Sequence, residues 1–255
     1  MKFVGVDLAW SNKNDSGFAV IEAQQRGNTG RLDEWHVGLK SDKAIVERIM
    51  DSVDGRPCLV AIDAPLRVSN KTGMRVCDKH IKQAFQKYDA GPYPANRTVL
   101  KKYGGLRGEK IVKLLEKKGI EFTPYLKRKA ETRQVLEVYP HPAMVSLFRL
   151  PKVLKYKARK DRSYEVRWHA MDRLQQLLLG LEREVPRLFI PIGIFEKSRG
   201  LKGYAFKRRE DLMDAIVCAY VGFYYWYWGE KKCRVFGSLE GGHIVTPVLN
   251  RKLRH

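Results

Sequence analysis

Apolar and polar positions alternate in short runs near the start of the chain and settle into helical periods towards its end. Phe3, Val4 and Val6 form an apolar run with no room for a helical turn before it, and Asp7 closes it. Such Val-rich runs read as buried strands. Residues 11–17 have turn composition, 18–23 form a second short strand, and 27–30 turn again. Residues 32–39 alternate as a third strand, so the opening reads as an antiparallel meander. Ser41 offers an N-cap, and Ala44, Ile45, Ile49 and Val53 follow at helical spacing. Gly55 and Pro57 end that helix. Residues 58–62 are the most apolar strand candidate, and this strand too ends in an acid, Asp63.

Residues 66–133 are basic and irregular. Within them, 74–88 reads as a helix with Val76, Ile81, Ala84 and Phe85 on one side, 90–97 as a rigid Pro-containing loop, and 106–118 as a second helix. Residues 134–138 form another strand, with Glu137 near its end, and the turn Pro140 to Pro142 starts a short helix. Residues 152–162 are a basic stretch, 164–181 a helix, 190–209 a basic loop, and 209–228 a long apolar helix. Val235-Phe236 and Ile244-Val245 suggest two small strands around Gly241 and Gly242. The order is three strands, helix, strand, helical insertion, strand, helices. That is the order of a ribonuclease H-like fold: an α/β domain with a mixed five-stranded sheet and helices on both faces. A single domain over 1–255 with insertions at about 66–133 and 149–209 is expected.

Charge adds a partner to this picture. The 255 residues carry 49 Lys and Arg against 28 Asp and Glu, a net charge of +21. Such an excess attracts polyanions and favours nucleic acid, DNA or RNA, over a merely solvated surface. No apolar stretch reaches the length of a membrane span. Asp7 and Asn12 interrupt any signal-peptide core, so a cytoplasmic location with no membrane contact is expected. The four cysteines (Cys58, Cys77, Cys218, Cys233) lack paired ligand spacing and read as reduced thiols.

The acids at the strand ends carry the chemistry. Asp7, Asp63 and Glu137 each close a strand, and acids at neighbouring strand ends converge on one crevice of an open sheet. Asp211 and Asp214 are three apart and share a helix face. The small residues Ala215, Cys218, Ala219 and Gly222 would bring that helix close to the sheet. Converging carboxylates repel without a cation, and oxygen donors suit Mg²⁺ or Mn²⁺. Two such ions about 3.5–4 Å apart activate water and stabilise the leaving oxygen of a phosphodiester. Each acid also has a plain structural alternative. Asp63 could cap a turn, Asp211 could favour a helix N-terminus, and Glu137 could pair with an arginine. Arg75, Arg97 and Lys101 are candidate phosphate contacts, and Tyr88, Tyr93 and Tyr103 candidate stacking residues. His141, between two prolines, is a candidate for proton transfer or phosphate contact, or a plain turn histidine. The aromatic end of the last helix, 220–228, reads first as core and then as a homodimer surface.

The stretches at 4–10, 61–66, 73–78, 93–97, 137–142 and 210–215 together resemble a family described as predicted nucleases with a ribonuclease H fold (domain of unknown function, family 429). The likeness spans residues 1 to about 225. It implies a ribonuclease H-like or RuvC-like fold and a metal-dependent nuclease. Asp7 matches that fold's first-strand acid, Asp63 its fourth-strand acid, and Asp211 and Asp214 the paired acids of a late helix. Glu137 falls in the family's fifth-strand motif. Catalysis is thus assigned to Asp7, Asp63, Glu137 and Asp214, with Asp211 as a further metal ligand. Two rivals stay open. One is an actin-like or sugar-kinase-like phosphotransferase on the same core. The other is a basic nucleic-acid-binding protein without catalysis.

Overall fold

A computed structural model describes residues 1–24, 27–191 and 193–248. The strands are β1 (Lys2–Asp7), β2 (Ser16–Ala23), β3 (Thr29–Leu39), β4 (Cys58–Asp63), β5 (Glu121–Phe122), β6 (Arg133–Glu137) and β7 (Arg187–Phe189). They form one mixed sheet in the order β5-β6-β4-β1-β2-β3-β7. β2 alone opposes the rest: its pairings with β1 and β3 are antiparallel, and the other neighbours are parallel. The meander at the start is as the sequence predicts. The expected strand number is corrected from five to seven. β5 and β7 have two and three residues, too few for alternation to register, and exist by pairing onto β6 and β3.

The helices are α1 (Asp42–Val53), α2 (Val76–Phe85), α3 (Arg97–Lys101), α4 (Arg107–Glu116), α5 (Pro140–Leu147), α6 (Tyr164–Leu179) and α7 (Gly203–Trp228). Ser41 caps α1 as expected, accepting from the Ala44 N–H at 3.1 Å. Each face of the sheet carries its own core. Val4, Val6, Val60 and Ile62 pack with Ile45, Ile49, Ile111 and Leu115 of α1 and α4. Phe3, Leu59, Ala61 and Leu136 pack on the other side with α7. The insertion at 66–133 is therefore no appendage, because α4 covers one face of the sheet. Arg107 at its start donates to Asp42 at 2.5 Å and to the Ala9 carbonyl at 2.7 Å, tying α4 to α1 and to the loop after β1.

α7 starts at Gly203 rather than at residue 209. Its first two turns carry Lys207, Arg208 and Arg209 and bury only Phe206, so they lack the apolar stripe that marks a helix in sequence. The expected loop at 190–209 shortens accordingly, and its position 192 lies outside the described residues. β8 (Cys233–Ser238) and β9 (Gly242–Pro247) form the expected terminal hairpin, packed beside α2. The aromatic end of α7 is absorbed by the chain's own core, with Tyr220, Phe223, Tyr225 and Trp226 buried. Tyr224, Tyr227 and Trp228 at that end stay partly exposed. All four cysteines are buried and free. Among the described residues, no helix is long and apolar enough to cross a membrane.

Candidate active site

Two glycines place the site. A Cβ on Gly5 would lie 2.0 Å from the Ala215 carbonyl oxygen and 2.3 Å from the Ala219 nitrogen. One on Gly17 would lie 2.0 Å from the Asp211 carbonyl oxygen. Backbone thus touches backbone where α7 crosses β1 and β2, and the small residues Ala215, Ala219 and Gly222 complete the approach as predicted. This close seating brings Asp211 and Asp214 beside the C-terminal ends of β1 and β4.

Asp7 and Asp63 are register partners on adjacent parallel strands. Neighbouring strands lie about 4.8 Å apart, and alternate residues share a face. Phe3 and Leu59 mark the α7 face, so Asp7 and Asp63 continue onto that face together. Glu137 does not. In β6 it is Leu136, with Val138 beyond the strand, that packs towards α7, whereas Val135 packs against the opposite core. Glu137 follows Val135 by two and turns away. Its oxygens accept from Arg75 Nη1 at 2.8 Å and Nη2 at 2.6 Å, and from the Leu66 N–H at 2.9 Å. Arg75 also donates to Asp78, at 2.7 Å from Nη2 and 3.1 Å from Nε. All three side chains are buried. Arg75 loses hydration there, yet Glu137 and Asp78 hold its pKa well above the usual value. Arg75 is therefore spent on two internal acids and is not open to a phosphate. Arg97 and Lys101 are exposed on α3, and Arg97 reaches Glu109 at 3.4 Å. Neither belongs to the acid cluster.

The carboxylates that do converge are Asp7, Asp63, Asp211 and Asp214. Asp7 is pushed up to about 7, first by burial and then by Asp214 and Asp211, against the pull of Lys157 and Lys207. Asp63 is raised well above the carboxylate range by burial and by Asp7. Asp211 is raised by burial against the pull of Lys207. Asp214 is buried too, but Lys157, His141 and the Tyr156 hydroxyl outweigh its desolvation and hold it below the ordinary value. Tyr156 donates to Asp214 Oδ1 at 2.6 Å. Lys157 pairs with Asp214, and Lys207 pairs with Asp211.

Sequence reading missed Tyr156, Lys157 and Lys207. Tyr156 and Lys157 lie in a basic stretch with no periodicity, and Lys207 lies in what reads as a loop, so only their charge was visible. The paired acids on α7 lie well inside the helix, since it starts at Gly203, and this removes the helix-terminus explanation of Asp211.

His141 stands behind the acids, edge-on to the Tyr156 ring at 6.0 Å between centroids. Its Nδ1 lies 3.3 Å from the Tyr139 hydroxyl, and its buried Nε2 has no hydrogen-bond partner. Burial and the neighbouring Lys157 lower its pKa to about 4, so the ring is neutral at physiological pH. His141 and Lys157 also line a cleft of about 610 Å³ with Lys82, Tyr93, Arg159 and Arg162. The acids therefore adjoin a basic cleft.

Fold and site together define a mixed α/β protein that gathers four aspartates at one end of its central sheet, beneath a cationic cleft. The chain belongs to the family described as Protein of unknown function (DUF429), whose model matches residues 5–237. No curated protein and no solved structure matches it.

Proposed function

We propose that this chain is a divalent-metal-dependent hydrolase of phosphodiester bonds in nucleic acid, built on a ribonuclease H-like core. One observation carries the reading. Acids on the first strand, on the fourth strand and in a pair on a late helix meet at one end of the sheet, beside a cleft lined by five lysines and arginines against one acid. This is the placement that the resemblance of the sequence implies.

The donor set fits a hard cation in type and in charge. With all four carboxylates ionised, as ligation requires, the cluster with Lys157 and Lys207 would carry −2, which one divalent ion would balance; without the ion, burial favours the protonated forms of Asp63 and Asp7. Asp211 Oδ2 is buried without a hydrogen-bond partner, Asp214 Oδ2 faces the Lys157 ammonium, and carboxylate oxygens are the donors Mg²⁺ and Mn²⁺ prefer. As the side chains stand, no three acids among the described residues are in ligating geometry. Ligation therefore requires Lys157 or Lys207 to move aside. Asp7, Asp63, Asp211 and Asp214 would hold the ion, which when bound polarises a phosphoryl oxygen and acidifies water. Lys157 keeps Asp214 ionised until then. His141 Nε2 is buried and unpaired at the cleft floor, placed to accept a hydrogen bond from water there. Glu137 serves the site indirectly, fixing Arg75 and the Leu66 amide behind β4.

The test is cleavage of single-stranded, duplex, hybrid and branched substrates with Mg²⁺ or Mn²⁺. Absence of cleavage above an Asp7→Asn control on every substrate sinks the proposal. The two lysines inside the acid cluster favour one rival, a basic nucleic-acid-binding protein without catalysis. Salt-dependent binding with no Mn²⁺ heat in calorimetry and no cleavage would establish that rival.

A further inference from the structure

The cleft beside the acids carries features that metal-assisted hydrolysis alone does not require. Among the described residues its cations Lys82, Lys155, Arg159 and Arg162 have no acidic partner within 4 Å, and Arg162 Nη1 donates to the Lys157 carbonyl at 2.6 Å. Arg159 and Arg162 repel each other: burial first, then the Arg159 charge, lowers the pKa of Arg162. The cleft's one acid, Asp89, is engaged by Lys152 at 3.3 Å. Unneutralised cations gathered in a concavity are the arrangement that takes phosphate groups.

Tyr93 stands at the same cleft and is 68% exposed. It lies between Pro92 and Pro94, whose rings fix the backbone on either side. The loop is pinned beyond it. Asn96 donates to the Gly73 carbonyl at 2.8 Å, and Asn70 donates to the Ala95 carbonyl at 3.1 Å. An aromatic ring is thus presented to solvent on a rigid support with cations below it. A cleft of about 610 Å³ is the size of a pocket for one drug-sized ligand, comparable to a nucleotide.

We infer that this cleft binds single-stranded nucleic acid, with Tyr93 stacking on an unpaired base and Arg159 and Arg162 holding the adjoining phosphates, so that the strand passes over the four aspartates. The inference rests on the hydrolytic reading for its direction, but binding is measured without turnover. The wild-type chain in EDTA is titrated with fluorescein-labelled single-stranded and duplex oligonucleotides by anisotropy, at several salt concentrations. Single strands bind at least tenfold more tightly than duplex. Tyr93→Ala weakens single-strand binding about tenfold, within the range of one stacked base. Arg159→Ala with Arg162→Ala flattens the salt dependence by a slope of about 1.4, the value for two phosphates on a single strand. Tyr93 and Arg159 are exposed, whereas Arg162 is half-buried and donates to the Lys157 carbonyl at 2.6 Å, so unchanged thermal melting is required of each variant. Equal or tighter duplex binding, or single-strand binding indifferent to Tyr93→Ala and to the double variant, overturns the inference. Loss of cleavage with this binding intact would defeat the hydrolase reading alone, and cleavage with binding indifferent to these variants would defeat the cleft alone.

Discussion

Gly5→Ala tests whether α7 is seated backbone to backbone on β1. The new methyl carbon would lie 2.0 Å from the Ala215 carbonyl oxygen, where ordinary contact begins at 3.4 Å. Relief demands a retreat of the helix by about 1.4 Å, because both partners are backbone and neither has a rotamer to change. Overpacking costs up to about 3 kcal/mol, and a clash with no side-chain escape belongs at that end. For a chain of this size that lowers Tm by about 6–12 °C. The retreat also carries Asp211 and Asp214 away from Asp7 and Asp63, and a misplacement near 1 Å costs about 100-fold in rate. Gly180→Ala is the control. Its φ is −62° and nothing lies within 4 Å of its Cβ position, so it gains about 0.4–1 kcal/mol from a less free unfolded chain. Thermal melting by circular dichroism, paired with the cleavage assay, reads both effects. A Gly5→Ala variant melting within 2 °C of wild type would refute the close seating and the site geometry that depends on it.

Four further outcomes follow from named contacts. Arg75→Met strands Glu137 and Asp78 as buried acids and costs about 3–5 kcal/mol in urea unfolding; Arg75→Lys does not rescue it, because an ammonium cannot supply the fork. Asp7 has a folded pKa of about 7, above its ordinary value of 3.8, so its contribution to stability is full below about pH 4 and is lost as pH rises through 7. Asp7→Asn is accordingly the more stable protein above pH 7, by a few kcal/mol, and that gain vanishes near pH 4 in urea midpoints measured across the range. Millimolar Mn²⁺ raises the Tm of wild type by ligand linkage and leaves the Tm of Asp7→Asn nearly unmoved, as scanning calorimetry will show. Lys157→Ala removes the ammonium that pairs with buried Asp214, so metal-free stability falls while the Mn²⁺-induced rise in Tm grows.

Much of this architecture is local and therefore legible in the chain. The meander, the Ser41 cap, the apolar strand before Asp63 and the terminal hairpin all rest on periodicity and turn chemistry within a few residues. The small-residue stripe of α7 announced its close approach to the sheet, and the acids at the ends of β1 and β4 announced a shared crevice. Glu137 shows where that reasoning stops. It closes a strand just as Asp7 and Asp63 do, but the two-residue period puts it on the other face, and Arg75, 62 residues earlier, claims both of its oxygens. Strand ends can be read one at a time, whereas a shared face needs the register between strands.

Short strands and embedded cations were decided by the tertiary structure alone. β5 and β7 have too few residues to show a period and exist only because an outer strand offers hydrogen-bonding partners. Lys157 and Lys207 look like any of the 49 cations in the sequence until α7 and the segment before α6 bring them to Asp214 and Asp211. The sequence by itself determined which acids were available and the net charge of +21. The fold decided which four acids meet, because convergence of like charges is set by long-range packing and by the cations that packing supplies.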